Sequence, residues 1–298
     1  MYAIAGASGH TGGMVARTLL DAGKKVRVIG RDARRLEALT RRGAELFLAD
    51  ARESGPMAQA FSGAEGVYAM IPPNVTAPDV LAYSRQAGES LAEAIERVRN
   101  VVMLSSIGAD KPAGTGPVVG LHGLEERLRA VGGLNAVALR AGYFMENLLP
   151  QAGIIRQAGM MAGPLRADLP LPMIATRDIG AAAAELLISG GFSGFQTREL
   201  LGQREVTYAE VAAIIGRAIG RPDLRYTQLP AGQLKPMLRQ MGMSASMADL
   251  LLEMCDALNS GYMKALEPRS ARNTTPTSVE TFVAEVFVPA FQAGATQQ

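Results

Sequence analysis

The sequence predicts an α/β fold, built on a doubly wound parallel sheet and followed by a smaller, mostly helical C-terminal region. Strand-like and helix-like segments alternate through the first half of the 298-residue chain, which is the pattern of a parallel sheet with helices on both faces. A glycine-rich turn joins the first strand to the first helix. After about Pro150 the alternation stops and helical patterns dominate.

Six short apolar strands are predicted in the first half, at residues 2–5, 25–29, 45–49, 66–71, 101–105 and 135–139. Apolar residues at helical spacing predict the helices between them, over residues 14–20, 32–39, 78–98 and 121–131. Local signals fix several ends. Gly23 and Gly43 close the first two helices, Asp32 can cap the second, and Pro72 ends the fourth strand.

The second half is less regular. Residues 151–175 are rich in Gly, Pro and Met without clean periodicity, and helices are predicted at 178–188, 210–219 and 247–258. The run Thr277-Ser278-Val279-Glu280 matches a capping box, which predicts that Thr277 opens a last helix. We therefore expect a first domain over residues 1–150 and a smaller region over 151–298, of which about 176–190 packs back on the sheet.

Composition excludes several classes of protein. The net charge is +2 and no dense basic run is present, so nothing indicates a nucleic-acid partner. No apolar run reaches the ~20 residues of a bilayer-spanning helix, and no basic segment precedes the apolar N-terminus, which predicts a cytoplasmic protein without membrane contact. The one cysteine, Cys255, excludes an intrachain disulfide and is expected in the core. No cluster of ligand residues suggests a metal.

The turn after the first strand carries the motif Gly6-Ala7-Ser8-Gly9-His10-Thr11-Gly12. Gly6 suits unusual dihedral angles, Gly9 leaves a bare backbone for a diphosphate, and Gly12 lets the helix pack closely on the strand. The N–H groups and the positive helix end stabilise phosphates. Because the motif lies between a strand and a helix, it predicts a Rossmann dinucleotide site, with Ser8, His10 and Thr11 also at the cofactor, rather than a tight turn alone.

Residues at the ends of later strands predict which dinucleotide binds. Arg31 ends the second strand, and its guanidinium suits the extra phosphate of NADP, so NADP(H) is expected; a solvated arginine is the alternative. Asp32 comes one position too late for the acid that binds the ribose of NAD, but it keeps NAD(H) as an alternative cofactor. Asp50 is placed to meet the adenine amino group or to cap a helix. Ile71 and Pro72 lie where the chain would pass the second ribose.

Five further stretches carry a resemblance to a known family: Val28-Ile29-Gly30-Arg31, Ser105-Ser106-Ile107-Gly108, Leu139-Arg140-Ala141-Gly142-Tyr143-Phe144-Met145-Glu146-Asn147, Asp178-Ile179-Gly180 and Thr274-Thr275-Pro276-Thr277. With the glycine motif they make the whole chain resemble the NmrA-like group of atypical short-chain dehydrogenases/reductases. That group contains NAD(P)H-dependent quinone reductases, azo-dye reductases, isoflavone-type reductases and dinucleotide-sensing regulators without turnover. The resemblance therefore implies the fold and the cofactor more sharply than it implies an activity.

The resemblance also implies roles for particular residues. Those matching Ser105 and Ser106 lie beside the nicotinamide ribose in the group, and those matching Tyr143 and Phe144 lie against the nicotinamide ring. Asn147, with Tyr143, is expected at the wall of the substrate pocket. Taken alone, Tyr143 and Phe144 after a strand also fit plain core packing.

One histidine is the candidate catalytic residue. None of the seven tyrosines is followed by lysine in the Tyr-x-x-x-Lys spacing of the usual short-chain dehydrogenase relay. His122 falls where isoflavone-type members have lysine, and a histidine can donate a proton near neutral pH. The alternative is a helix-start histidine bound to solvent or to a backbone carbonyl. Two locations fit a further set of apolar residues, either the wall of an acceptor pocket or the core: Met160, Met161, Leu165, Leu171 and Met173.

Two functions fit these observations. The first is an NADPH-preferring oxidoreductase that transfers hydride to a quinone-like or other small conjugated acceptor, a reaction that needs little protein acid when the acceptor is a quinone. The second is a redox-sensing regulator that binds the dinucleotide and acts through a protein partner without turnover. His122 favours the enzyme, and the missing tyrosine–lysine relay favours the sensor. A homodimer is compatible with either function.

Overall fold

The computed structural model describes residues 1–294 and contains a seven-stranded parallel sheet. The strands of the chain are β1 (Tyr2–Ala5), β2 (Val26–Gly30), β3 (Glu45–Leu48), β4 (Gly66–Ala69), β5 (Asn100–Ser106), β6 (Asn135–Ala141), β7 (Tyr143–Phe144), β8 (Met161–Gly163), β9 (Leu171–Ile174), β10 (Phe195–Leu200), β11 (Glu205–Val206) and β12 (Tyr226–Gln228). The order across the main sheet is β10-β6-β5-β4-β1-β2-β3. The order reverses at β1, which is where open α/β sheets bind ligands.

The helices lie on both faces of the sheet and in the C-terminal region. They are α1 (His10–Asp21), α2 (Glu37–Thr40), α3 (Ser54–Phe61), α4 (Val80–Ile95), α5 (Val119–Ala130), α6 (Gln151–Ala158), α7 (Thr176–Ser189), α8 (Tyr208–Ala218), α9 (Ala231–Gln240), α10 (Ala245–Asn259), α11 (Val279–Phe282) and α12 (Val288–Ala293). Short 3-10 turns cover Ala33–Leu36, Gly116–Val118 and Met145–Leu148, and a π turn covers Val283–Phe287. The predicted fold class, a doubly wound parallel sheet of the Rossmann type, is confirmed.

Burial explains why β1 and β4 were recognisable from the sequence. All four residues of β1 and of β4 are buried, because helices cover both faces of the sheet there. One core cluster joins α1 and α7 to one face, and a second joins α3, α4 and α5 to the other. Cys255 is buried in a third cluster, in the C-terminal region, as predicted.

The prediction of a mostly helical second half missed a sheet strand. β10 pairs with β6 along its whole length and forms one edge of the main sheet. Its central residues Gln196 and Thr197 are exposed, so the apolar run that marks a buried strand is absent. The remaining strands of this half, β8, β9, β11 and β12, form two small sheets, one with β7.

The predicted start of the last helix was wrong by one residue. Ser278 caps α11, accepting a hydrogen bond from the N–H of Thr281. Thr277 instead donates its N–H (3.0 Å) and its hydroxyl (2.7 Å) to the buried carboxylate of Asp178. A capping box does occur in the chain, at Thr207 and Glu210, where it opens α8. A tertiary hydrogen bond thus overrides the local cap.

The segment expected to return to the sheet does so as α7, which packs on α1. A Cβ placed on Gly180 would lie 2.5 Å from that of Met14, so the two helices approach closely where the Gly180 backbone meets the Met14 side chain. β10 follows α7 back into the sheet. The domain boundary near residue 150 stays a prediction. Within residues 1–294 no helix is long and apolar enough to cross a bilayer.

Candidate functional site

One cavity of about 580 Å³ opens where the carboxyl ends of the central strands meet. It is lined by much of the site predicted from the sequence: Gly9, His10, Thr11, Ile71, Pro72, Ser105, Ser106, Tyr143, Phe144 and Asn147. These residues come from the end of β5 and from the segments that follow β1, β4 and β6, so the parallel sheet gathers them at one edge. Gly6, Ser8, Gly12, Arg31 and Asp50 lie outside this lining.

The glycine turn has the geometry that the motif predicts. Gly6 adopts φ +65°, and a Cβ there would clash with the Met70 side chain. At Gly12 a Cβ would lie 2.5 Å from the Gly6 carbonyl oxygen, which no side chain tolerates. Gly9 caps α1 in an extended conformation. The first N–H groups of a helix have no acceptor within it. This cradle therefore fits a diphosphate at the start of α1.

Charged residues border the predicted adenosine end. Ser8 lies near the end of β2, where Arg31 is exposed and forms no ion pair within residues 1–294. Asp50 binds the Arg52 side chain at 2.8 and 3.1 Å, and these hydrogen bonds lower the pKa of the Asp50 carboxyl. Because Arg31 also acts on that carboxyl electrostatically, the two predicted residues are neighbours. Arg31 remains available to a phosphate.

A buried ion pair supports the strand that carries Ser105. Arg140 on β6 donates to both oxygens of Glu125 on α5, from Nε at 3.0 Å and from Nη2 at 2.6 Å. Ser105 donates its hydroxyl to the same carboxylate at 2.5 Å. Burial opposes the charged form of Arg140, yet its pKa is raised because of the hydrogen bonds to Glu125. The pair fixes the Ser105 hydroxyl, whose oxygen can still accept a hydrogen bond from a ligand.

Two tyrosine hydroxyls meet behind the turn after β6. Tyr143 lines the cavity, and its hydroxyl lies 3.1 Å from that of Tyr208, which is buried on α8. The Tyr208 ring in turn packs on Tyr226, with ring centroids 4.5 Å apart. Burial raises the pKa of Tyr143, and the hydrogen bonds from Tyr208 and Asn147 offset only part of that rise. Neither Tyr208 nor Tyr226 was identified from the sequence.

Methionines from the C-terminal region form the roof of the cavity. Met247 and Met254 of α10 line it, with Leu258 and with Met263 beyond the helix. Two hydrogen bonds hold α10 and its N-terminal cap against the loop after β4. Ser244 N–H donates to the Val75 carbonyl (2.9 Å), and Val80 N–H donates to the Ser246 hydroxyl (3.1 Å). We use "roof" for these four lining residues.

The apolar segment around residue 165 does not line the cavity. Met161, Leu165, Leu171 and Met173 are buried in the core cluster of the C-terminal region, and neither they nor Met160 line the cavity. Of the two sequence interpretations the core is correct, because β8 and β9 place these residues inside small sheets. The methionines that line the cavity are instead Met247 and Met254, which are spaced along α10.

His122 takes the second of its two predicted environments. Its Nδ1 lies 2.9 Å from the carbonyl oxygen of Ala109, and because that oxygen only accepts, Nδ1 carries the hydrogen. Among the described residues that line the cavity, Gly120 and Leu121 are present and His122 is not. A catalytic role for His122 stays a prediction, without support from this placement.

The residues that could not be identified from the sequence are those whose roles depend on contacts between different elements of the fold. Arg140 interrupts the apolar pattern of β6, and a lone charge in a buried strand was a usable sign of the ion pair. Glu146, which accepts the N–H and hydroxyl of Thr176 and lines the cavity, offered no such sign. Within residues 1–294 no three His, Cys, Asp or Glu side chains are grouped for a metal.

Comparison with known proteins agrees with this geometry. The family model of the NmrA-like family matches residues 2–283. The chain belongs to the NmrA-like family. An NAD(P)H azoreductase of Xenophilus azovorans is 30% identical over 85% of this chain and 86% of its own length. Quinone oxidoreductase 2 of Escherichia coli is 25% identical over 85% and 86%.

A solved structure also shares the fold. The crystal structure of an NADPH-dependent quinone oxidoreductase from Escherichia coli, complexed with NADPH, superimposes with a TM-score of 0.82 and 22% identity. It covers 96% of this chain and 100% of its own. The match to the family model confirms the NmrA-like resemblance inferred from the sequence motifs.

Replacing Gly9 by Asp tests the diphosphate cradle. We expect Gly9→Asp to weaken NADPH binding at least tenfold. A carboxylate that faces a diphosphate costs on the order of several kcal/mol of binding free energy, and each ~1.4 kcal/mol changes the dissociation constant tenfold. Titration followed by NADPH fluorescence or calorimetry gives the dissociation constants. Gly132→Asp is the matched control, because Gly132 is exposed with open space around it and lies outside the cavity. Equal affinities of Gly9→Asp and wild type would contradict the assignment.

A second substitution tests His122. A proton donor in the slow step supplies about 100-fold or more. Because the ring lies outside the cavity lining, we expect His122→Ala to lower turnover by less than about tenfold, with NADPH affinity unchanged. Turnover and the NADPH dissociation constant are measured together on each acceptor. A loss of ~100-fold in turnover at unchanged NADPH affinity would restore His122 as the acid.

Proposed function

We propose that this NAD(P)H-dependent oxidoreductase of the NmrA-like family uses NADPH to reduce a flat, conjugated small molecule such as a quinone or an azo compound. The observation that carries the proposal is the single cavity that joins the phosphate-binding turn of Gly9 to the methionine roof. One end suits a dinucleotide and the other an apolar acceptor. The azoreductase relative, 30% identical, supports the choice of acceptor class.

The chain's own residues divide the work. The turn from Gly6 to Gly12 holds the diphosphate, and Arg31 binds the 2′-phosphate. Asp50 meets the adenine, and Ile71 and Pro72 pass along the second ribose. Ser105 and Ser106, at the end of β5, bind the nicotinamide ribose. When bound, NADPH supplies the hydride that the acceptor receives.

The shape and polarity of the acceptor end set the substrate class. Its walls are the aromatic rings of Tyr143 and Phe144, and Asn147 adds one amide. The methionines of the roof adapt to the outline of a flat apolar ligand, since their side chains are flexible and polarizable. Asn147 and the Tyr143 hydroxyl can orient a carbonyl or azo group. Such an arrangement accelerates hydride transfer mainly by holding the two reactants in position.

A panel of acceptors tests the function. Purified protein should use NADPH to reduce menadione and methyl red. The reaction is monitored by the loss of NADPH absorbance at 340 nm. Turnover should be saturable in both acceptor and NADPH. Tight NADPH binding without turnover on any quinone, azo dye or enone would instead support the dinucleotide sensor, whose protein partner and any homodimer stay predictions from the sequence.

Arg31 should set the preference for NADPH. A charge-assisted hydrogen bond contributes about 1.5–3 kcal/mol, so Arg31→Ala should weaken NADPH binding roughly tenfold or more and leave NADH nearly unchanged. Arg41→Ala is the control, since Arg41 is an exposed arginine of the same region that pairs with Glu37. Dissociation constants of both cofactors are compared. An equal loss for NADH and NADPH would mean that Arg31 has a structural role.

A further inference from the structure

The hydroxyl pair of Tyr143 and Tyr208 connects the acceptor end of the cavity to the protein interior. Tyr143 is the one tyrosine among the described residues that lines the cavity. Its oxygen lies 3.1 Å from the oxygen of Tyr208, whose side chain is 4% exposed. Tyr226, the third ring of this cluster, is bound elsewhere, because its hydroxyl donates to the Leu165 carbonyl at 2.9 Å.

The number of hydroxyl hydrogens indicates which of the two tyrosines donates the hydrogen bond. Two hydroxyls carry two hydrogens but share one hydrogen bond. Within residues 1–294 the Tyr208 hydroxyl has no hydrogen-bond partner except Tyr143, so a Tyr208 that did not donate would bury an unsatisfied hydrogen. Tyr208 therefore donates to Tyr143. The Asn147 side chain also forms a hydrogen bond that lowers the pKa of Tyr143, so it too is donated to the Tyr143 oxygen. The hydrogen of Tyr143 remains for another acceptor, and Tyr143 borders the cavity.

Three other hydroxyls of the cavity lining have already given their hydrogens to the protein. Ser105 donates to Glu125, Ser106 donates to the Ile107 carbonyl, and Thr176 donates to Glu146. At the ends of β5 and β6 and the start of α7, the Tyr143 hydroxyl is thus the acidic O–H left for a ligand. The ordinary pKa of a tyrosine hydroxyl is about 10, and burial raises the pKa of Tyr143 above it, so this hydroxyl holds its proton at neutral pH until a strongly basic anion forms beside it.

Resting on the proposed function, we propose that Tyr143 is the proton donor to the reduced acceptor and that Tyr208 is its positioning residue. The acceptor carbon or nitrogen gains a hydride, that is, two electrons and one proton, which bound NADPH would supply with release of NADP⁺. The Tyr143 O–H bond breaks as its proton moves to the anionic oxygen or nitrogen of the acceptor. The Tyr143 oxygen, now a phenolate, accepts the hydrogen bond from Tyr208. Solvent water returns the proton after the product leaves.

Acceptors differ in how much they need this proton. Hydride addition to an azo group leaves a strongly basic nitrogen anion, so a proton must arrive with it. A quinone gives a hydroquinone monoanion, which is stable in water. A triarylmethyl cation such as crystal violet needs no proton, because hydride addition at the central carbon yields the neutral leuco dye directly. The proposal therefore predicts a graded dependence on Tyr143 across these three acceptors.

The test compares three tyrosine-to-phenylalanine variants, which keep each ring and remove each hydroxyl. With methyl red, Tyr143→Phe should lose about 100-fold or more in turnover, and Tyr208→Phe about tenfold, the effect of one hydrogen bond to a charged group. With menadione both losses should be smaller, and with crystal violet both rates should stay within about twofold of wild type. Tyr226→Phe, from the same cluster, should match wild type throughout. The KM for NADPH should not change, which separates lost protonation from lost cofactor binding.

A measurement without turnover completes the test. In the NADP⁺ complex menadione is not reduced, and a hydrogen bond from Tyr143 should lower its infrared carbonyl frequency in wild type and in Tyr226→Phe. Tyr143→Phe should abolish the shift, and Tyr208→Phe should diminish it. Equal losses on methyl red and crystal violet, or an unchanged carbonyl band in Tyr143→Phe, would overturn the proton-donor role while leaving the reductase intact. A wild type that reduces none of the three acceptors would refute the proposed function, and the proton donor with it.

Discussion

Two bare stretches of backbone in contact determine how the cofactor side of this structure is assembled. Gly12 comes so close to the Gly6 carbonyl that any side chain would collide with it, and this contact seats α1 on the end of β1. The same helix then receives α7 at Gly180, whose bare backbone packs against the Met14 side chain. α7 begins at Thr176, whose N–H and hydroxyl hold Glu146 at the cavity wall. The close contact at Gly12 is thus linked, through α1 and α7, to the position of Glu146 in the opposite wall of the cavity.

The fold was predictable wherever burial leaves a mark on the sequence. β1 and β4 are buried on both faces, so they appear as uninterrupted apolar runs. β10 lies at the sheet edge with Gln196 and Thr197 exposed, and no such run marks it. The last helix shows a different limit. Thr277 and Ser278 are both good caps, and the carboxylate of Asp178, far away in sequence, decides between them.

The same distinction applies to the site. The diphosphate turn is local in sequence, so its seven residues predict its geometry. The Tyr143–Tyr208 contact spans 65 positions, and the Glu125–Arg140 pair joins a helix to the strand after it. Neither leaves a periodic signal. His122 fits two environments equally well by pattern, and only the position of the Ala109 carbonyl favours one of them. A site formed by consecutive residues can therefore be predicted from the sequence, whereas hydrogen bonds between distant elements become visible only in the folded structure.

The roof gives this protein a separable design. Its methionines lie on α10 and just beyond it, far in sequence from the glycine turn proposed to hold the diphosphate. Two hydrogen bonds, at Val75 and Val80, attach this helix to the sheet half. Exchange of Met247 or Met254 would therefore change the shape of this end of the cavity at positions remote in sequence from the glycine turn. If the glycine turn holds NADPH, as proposed, a change of substrate range needs substitutions only in the C-terminal region.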